Sequence, residues 1–199
     1  MQEKISDIQT SRDALLRRIG RNVVNFQYLE ALLREMIPSL SSETTQSTLH
    51  SHKAEINRKY KKWSLGDLTD TFLDSIFYST KKEDSEISEK VNELSIKTTF
   101  QIEIDPQDTI ERRKGLLKLV VERNRLIHRD VLDIDLNSDE QCEVLSKRLD
   151  EQNDRIRENL MFLSSLRNVQ QEVYAEIAKY MQTDEFISAI IGQQDYDKS

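Results

Sequence analysis

The C-terminal part of the chain carries an apolar repeat that fits one long α-helix. From Cys142 to Met181, apolar residues recur at intervals of three or four positions, with a single interval of seven. This spacing places their side chains on one face of a helix, and residues 138–141 (Ser-Asp-Glu-Gln) form a capping box in front of it. The repeat predicts a helix of about 44 residues, roughly 65 Å long. One compact domain cannot cover such a helix alone, so we expect it to break or to pack in a dimer.

A second long helix is predicted over residues 1–37. Apolar residues recur mostly every three or four positions up to Met36, and Pro38 should end the helix because proline disfavours the α conformation of the residue before it. The chain has only 4 Gly and 2 Pro among 199 residues, which favours long helices over a turn-rich β fold. We therefore predict an all-α fold: a helical bundle with long N-terminal and C-terminal helices, forming a single domain over residues 1–199, with 193–199 as a frayed tail.

One short stretch departs from the helical pattern. Residues 98–105 (Thr-Thr-Phe-Gln-Ile-Glu-Ile-Asp) alternate at period two and are rich in β-branched residues, which indicates a short extended segment. A lone strand has no evident partner in the rest of the chain, and residues 39–47, rich in Ser and Thr, are typical of a loop or a fraying helix start. We expect 98–105 to be an extended connector rather than part of a sheet, although pairing across a dimer axis is the alternative.

Two helix starts can be located by their capping residues. Ser64 and Asp67 can each cap a helix at the run Ser-Leu-Gly-Asp-Leu. Asp105 followed by Pro106 combines a capping carboxylate with proline at the first helical position. The helix that begins there should continue to the apolar pair before Glu122, and it contains the most basic part of the chain.

The charge of that basic part contrasts with the charge of the whole chain. The chain has a net charge of −7, whereas residues 111–129 contain seven Lys or Arg and two Glu, a local charge of +5. Because salt screens each charge beyond roughly 8–10 Å, a local basic patch can attract a polyanion even on an acidic protein.

Cys142 is the only cysteine, so neither a disulfide nor a Cys-based metal site is expected. The chain has no membrane-length apolar run and no secretory leader, and we expect a cytoplasmic protein that uses no cofactor.

The candidate catalytic residues are Arg123, Asn124 and His128 in the stretch Arg-Asn-Arg-Leu-Ile-His. Arginine offers a planar, permanently charged set of donors that suits a phosphate, and histidine exchanges protons near neutral pH. An arginine and a histidine that face one phosphodiester could cut RNA without a metal. Cations at a helix C-terminus are also favourable against the helix dipole and need no function, which is the plainer explanation of the same residues.

This stretch resembles the signature of the HEPN superfamily: an Arg, four residues, then His, with Asn directly after the Arg and an apolar pair before the His. The run Ser-Leu-Gly-Asp-Leu at 64–68 is also similar to HEPN chains. HEPN proteins are small α-helical domains, many of them metal-independent endoribonucleases of toxin–antitoxin and phage-defence systems. The resemblance implies catalytic Arg123, Asn124 and His128 in a composite cleft built by two motifs of a homodimer, with RNA as substrate and an antitoxin or defence-system protein as possible partner.

The expected roles follow from that resemblance and from general chemistry. His128 would take the proton of a ribose 2′-hydroxyl, Arg123 would stabilise the charge on the phosphate in the transition state, and Asn124 would hydrogen-bond the histidine or a phosphate oxygen. The cations expected to bind flanking phosphates are Arg125, Arg129 and Lys118. In HEPN toxins paired with a nucleotidyltransferase antitoxin, a tyrosine two residues after the histidine is modified; this chain has Asp130 there, which argues against that form of regulation.

Helical geometry alone does not bring the two main residues together. At about 100° per residue, Arg123 and His128 lie about 140° apart on an ideal helix. Either the helix ends or distorts near Ile127, or two copies of the motif meet across a dimer axis, and we favour the dimer. The alternative function is a non-catalytic HEPN-like helical module that binds a partner protein, a nucleotide or RNA.

Other candidate residues are weaker. Tyr60 and Trp63, among several basic residues, could stack a base, but such a tryptophan is more often a packing anchor. Glu30 could face the motif from the first helix. His50 and His52 have the wrong spacing for one helix face, so no metal site is expected from them.

Overall fold

The structure, a computed structural model, describes residues 2–45, 58–77 and 95–189. The elements in chain order are α1 (Gln2–Leu40), β1 (Ser41–Thr45), α2 (Leu65–Ile76), β2 (Ser95–Thr99), α3 (Pro106–Arg125), a π-helical turn (Leu126–Asp130), α4 (Val131–Asp133) and α5 (Asp139–Tyr180). Residues 58–60 and 184–189 are also helical. The predicted all-α class, with long N-terminal and C-terminal helices, is confirmed. The two histidines at 50 and 52 lie outside the described residues.

Packing divides the chain into two compact units, 1–161 and 162–199. The first contains α1 to α4 and most of α5; the second contains the end of α5 and the helical residues 184–189. The prediction that 1–199 is a single domain stays a prediction, and the proposed tail at 193–199 lies outside the described residues. Within the described part, no helix is long and apolar enough to cross a membrane.

The core of the first unit forms where α2 packs against α1 and α3. Apolar side chains from all three helices are almost completely buried, among them Leu33, Met36, Leu68, Phe72, Ile76, Leu116 and Leu119. Gly66, near the start of α2, lies against α3, because a Cβ there would be 3.5 Å from a methyl group of Val120. The apolar face of α3 packs into the core, whereas Asn124 and Arg125 at the C-terminal end of α3 are exposed.

Local capping explains where α2 and α3 begin. Ser64 and Asp67 form a complete capping box, with the Asp67 backbone N–H donating to Ser64 Oγ and the Ser64 N–H donating to the Asp67 carboxylate. The Ser64 hydroxyl also donates to the Asp67 carboxylate at 2.7 Å, and this bond, together with the bond from the Ser64 N–H, lowers the pKa of Asp67. The Asp105 carboxylate accepts from the backbone N–H of Gln107 at 2.7 Å, and Pro106 is the first helical residue. Both predicted helix starts are confirmed.

The extended segment has a partner that the sequence did not reveal. β1 and β2 form a two-stranded antiparallel sheet, with Ser41 opposite Thr99 and Thr45 opposite Ser95. The expectation of an unpaired connector is therefore wrong for Thr98 and Thr99 at the start of 98–105, and Ser41–Thr45 form a strand instead of the loop or helix start expected within 39–47. Residues 46 and 47 lie outside the described residues. The backbone N–H of Phe100 then donates to the Leu40 carbonyl, so the segment after β2 ties itself to the end of α1.

Pro38 does not end the first helix, which continues to Leu40. Proline removes one helical hydrogen bond near a terminus, and two other contacts hold the last turn. Ser39 Oγ donates to the Met36 carbonyl at 2.8 Å, and the Leu40 carbonyl accepts from Phe100 at 2.7 Å. The strand pairing that follows fixes the direction in which the chain leaves the helix, so the cost of one lost bond is tolerated.

The long C-terminal helix is confirmed as α5, with 42 residues. Its start uses half of the predicted capping box: Ser138 Oγ accepts from the Gln141 N–H at 3.3 Å, whereas the Gln141 side chain accepts from the Asp135 N–H instead of from Ser138. A buried polar seam joins α5 to α1. Asn22, fully buried, donates to the Leu149 carbonyl and to Gln152 Oε1 at 2.7 and 2.9 Å.

Asp150 adds a pH-dependent contact to this seam. It accepts from Arg21 at 2.8 Å and Arg18 at 2.9 Å, and these bonds hold its pKa below the usual value. A lowered pKa means that the contribution to stability is present above the unfolded-state pKa of about 3.9 and is lost as the pH falls through the folded-state pKa. Because Asp150 is 45% exposed, we expect Asp150→Asn to lower the free energy of unfolding by no more than about 1 kcal/mol at pH 7.

The difference between wild type and Asp150→Asn should shrink toward zero as the pH is lowered to about 2. Urea unfolding followed by circular dichroism across this range measures it. An equal difference at both ends of the range would show that the variant acts through packing and not through charge.

Candidate functional site

The candidate site lies where α3 changes into the π-helical turn. The backbone N–H of Val131 donates to the carbonyl of Leu126, five residues back, instead of four as in an α-helix. Residues five apart, which are about 140° apart on a straight α-helix, therefore approach one another. The turn shows this directly, because Arg125 Nε donates to Asp130 Oδ1, five residues on, at 3.2 Å. The distortion that the sequence required near Ile127 is present in a single chain.

Arg123, Asn124 and His128 occupy this transition. Arg123 is half-buried and donates from Nη1 to Asn124 Oδ1 at 3.1 Å. Asn124 and His128 are exposed. Within the described part of the chain, His128 forms no hydrogen bond or ion pair, so its ring is left available. Arg123 and Asn124 are therefore in contact with each other. Within the described residues, neither forms a hydrogen bond to His128, so the Asn124–His128 bond that was one of the two expected roles of Asn124 is not formed.

Two acidic residues that flank the motif are tied to α5. Glu122 is 16% exposed and pairs with Arg155, with Nη2 2.7 Å from Oε1 and Nε 3.4 Å from Oε2. Asp130 is 10% exposed and pairs with Arg148 at 2.6 Å, in addition to Arg125. Sequence reasoning missed both residues as parts of the site. The sequence carries little signal for them, because the polar residues at 148, 152 and 155 lie in a helix that carries many other charged and polar residues.

The three predicted RNA-binding cations occupy different positions. Arg129 is exposed on the π-helical turn. Arg125 is more than half exposed, and its Nε donates a hydrogen bond to Asp130. Lys118 is exposed within a cleft of about 350 Å³ between α3 and α5, which it shares with Arg155 and Asn159. Arg125 and Arg129 therefore lie beside the motif, and Lys118 lies in the cleft that ends near Glu122.

The weaker candidates have structural roles. The rings of Tyr60 and Trp63 form an edge-to-face contact with centroids 4.7 Å apart. Arg34 donates to the backbone carbonyls of both residues at 3.1 and 3.0 Å and pairs with Glu30 at 2.7 Å. These contacts favour Trp63 as a packing anchor over a base-stacking platform. Glu30 is paired with Arg34 at this turn and not with a residue of the motif.

Other reactive groups offer little chemistry. Burial, with smaller contributions from Asp139 and Asp135, raises the pKa of the Cys142 thiol, which makes it a poor nucleophile. Among residues 2–45, 58–77 and 95–189, no group of three or more His, Cys, Asp or Glu side chains is arranged to hold a metal ion. The motif at the end of α3 is therefore the strongest candidate for catalysis in the described part of the chain.

Comparison with family models, curated proteins and solved structures finds no match to this chain.

Proposed function

We propose that this chain is a metal-independent endoribonuclease of the toxin or phage-defence type, similar to HEPN enzymes. The observation that carries the proposal is the π-helical turn. It begins three residues after Arg123, contains His128, and leaves that histidine exposed and without a hydrogen bond or ion pair among the described residues. A histidine held by intrachain ion pairs would have argued against catalysis.

The proposed reaction is an internal transesterification. His128 accepts the proton of a ribose 2′-hydroxyl, and the 2′-oxygen attacks the adjacent phosphorus. The bond from phosphorus to the 5′-oxygen breaks, and the leaving oxygen takes a proton from an acid. Arg123 stabilises the negative charge that develops on the phosphate oxygens. The products are a 2′,3′-cyclic phosphate and a 5′-hydroxyl, and neither a metal nor a redox step is needed.

The need for a general acid that protonates the leaving 5′-oxygen is the reason to include a second copy of the chain. One motif supplies one histidine, whereas the reaction uses a base and an acid; a twofold-related His128 would supply the acid. Exposed apolar residues at intervals of seven and four, namely Ile110, Leu117 and Val121, line the face of α3 that continues to Asn124. Val121 is 67% exposed. This row supports a homodimer in which two motifs meet.

The charge around the motif supports RNA as the substrate. Arg125 and Arg129 provide guanidinium groups beside Arg123, and guanidinium groups bind phosphates through several donors at once. Lys118 lies farther along α3 and could meet a flanking phosphate of a longer strand. The identity of the RNA, and of any antitoxin or defence-system partner, is a separate question that genomic neighbours would address.

The test uses the purified full chain with a mixture of RNA oligonucleotides in excess EDTA. We expect cleavage products with 2′,3′-cyclic phosphate ends, detected by mass spectrometry, and a dimer mass by light scattering. Expression in a bacterial host should be toxic, and Arg123→Ala or His128→Ala should relieve the toxicity. If RNA stays intact with wild type and variants alike, the chain is instead a non-catalytic HEPN-like binding module.

A further inference from the structure

One face of α5 holds both ends of the motif. The face consists of Arg148, Gln152 and Arg155, spaced by four and three residues, and we call it the α5 clamp. Arg148 pairs with Asp130, which is two residues after His128. Arg155 pairs with Glu122, which immediately precedes Arg123. The seven residues from 123 to 129, which include His128, thus lie between two carboxylates that are paired with α5.

Gln152 binds the backbone of the motif about one helical turn before the π-helical turn. Its Nε2 donates to the Glu122 carbonyl at 3.5 Å, a long bond, and that carbonyl also keeps its α-helical bond from the Leu126 N–H. Gln152 is in turn held by the fully buried Asn22, which donates to Gln152 Oε1 at 2.9 Å. The backbone at Glu122 is therefore linked through Gln152 to α1.

The carboxylate of Asp130 fixes the other side of the turn. Its two oxygens accept from different partners, Oδ1 from Arg125 within the turn and Oδ2 from Arg148 on α5. Because this carboxylate is only 10% exposed, removal of one of its arginine partners should destabilise the turn. The same group therefore closes the five-residue contact across the π-helical turn and attaches that turn to α5.

We infer that Glu122 and Asp130 are positioning residues: through the α5 clamp they hold both sides of the motif, so that the π-helical turn keeps the register in which His128 is presented at the surface. The inference rests on the proposed function for its catalytic consequence, but its structural part stands apart from catalysis. Neither carboxylate is expected to touch RNA, because both face arginines of the same chain. Their loss should move the reacting groups without removing them.

Asp130→Asn is the most direct test, because it keeps the shape of the side chain and removes its charge. We expect the Val131 amide, which makes the five-residue backbone bond, to exchange its hydrogen about tenfold faster or more. We expect kcat for RNA cleavage to fall about 10- to 100-fold, the effect of small misplacement of reacting groups, with KM nearly unchanged. Asp130→Glu, which keeps the charge, should recover part of both losses.

The matched control is Glu30→Gln, since Glu30 is also a largely buried carboxylate, 20% exposed, and pairs with an arginine, Arg34, at the turn that contains Tyr60 and Trp63. It should leave kcat and Val131 exchange unchanged. Arg148→Met removes the same ion pair from the other side, and combined with Asp130→Asn it should cost no more than either change alone. It also serves as the second variant if Asp130→Asn does not fold.

The outcomes separate this inference from the proposed function. If wild type leaves RNA intact, the nuclease proposal fails, and Val131 exchange still decides whether the clamp holds the turn. If wild type cuts RNA and Asp130→Asn keeps both its kcat and its slow Val131 exchange, the positioning role is overturned. Equal losses of kcat in Asp130→Asn and Glu30→Gln would also overturn it, because a general loss of stability would then explain both.

Discussion

Replacement of His128 by alanine should lower the rate of RNA cleavage by about 10²- to 10⁴-fold, the usual contribution of a general acid–base group. The structure predicts that this loss comes without a loss of stability. His128 is exposed and has no hydrogen bond or ion pair within the described part of the chain, so its removal leaves no buried group unpaired. The free energy of unfolding should change by less than about 0.5 kcal/mol. Single-turnover cleavage of a labelled oligonucleotide and urea unfolding measure the two quantities.

The control for His128 is its neighbour Arg129, which is also exposed on the π-helical turn. Arg129→Ala should weaken RNA binding and raise KM while kcat changes little, because the expected role of Arg129 is to bind a flanking phosphate. Dimer mass should be the same for wild type and both variants. Cleavage by His128→Ala at the wild-type rate would rule out His128 as base and acid, and would direct attention to the binding-module alternative.

The parts of the fold that depend on neighbouring residues were predictable from the sequence. The caps at Ser64 and Asp105 act within three residues, and the apolar repeat of α5 is a property of one helix. Pairing of β1 with β2 was not predictable, because Ser41 and Thr99 are far apart in the chain and neither strand has a strong apolar alternation of its own. The continuation of α1 past Pro38 depends on the same distant pairing.

The site shows the same division between local and distant causes. The residue types of Arg123, Asn124 and His128 pointed to phosphate chemistry, but an ideal helix placed the arginine and the histidine on different faces. The π-helical turn that contains His128 is paired with α5 through Arg148, and the backbone before the turn is bound by Gln152; both side chains lie at least 18 positions along the chain from the groups they contact. A single sequence gives no direct sign of such contacts.

Arg123 provides the second large prediction. Arg123→Ala should lower kcat about 10²- to 10³-fold, the typical cost of removing one group that stabilises transition-state charge. Arg123→Lys should recover only part of this loss, because lysine is a point charge and lacks the planar set of donors that an arginine presents to two phosphate oxygens. The rate of single-turnover cleavage at saturating RNA measures both effects, and a change in KM alone would assign Arg123 to binding.

Arg113 is the matched control, since it lies on the same helix and forms an exposed ion pair with Asp74 at 2.7 Å. Arg113→Ala removes the same charge from α3 and should leave kcat unchanged, with a loss of stability below about 1 kcal/mol. If Arg113→Ala and Arg123→Ala slow cleavage equally, the general positive potential of α3 is responsible, and no specific contact with the phosphate is needed. If only Arg123→Ala does so, and Arg123→Lys is intermediate, the geometry of the guanidinium group is what the reaction requires.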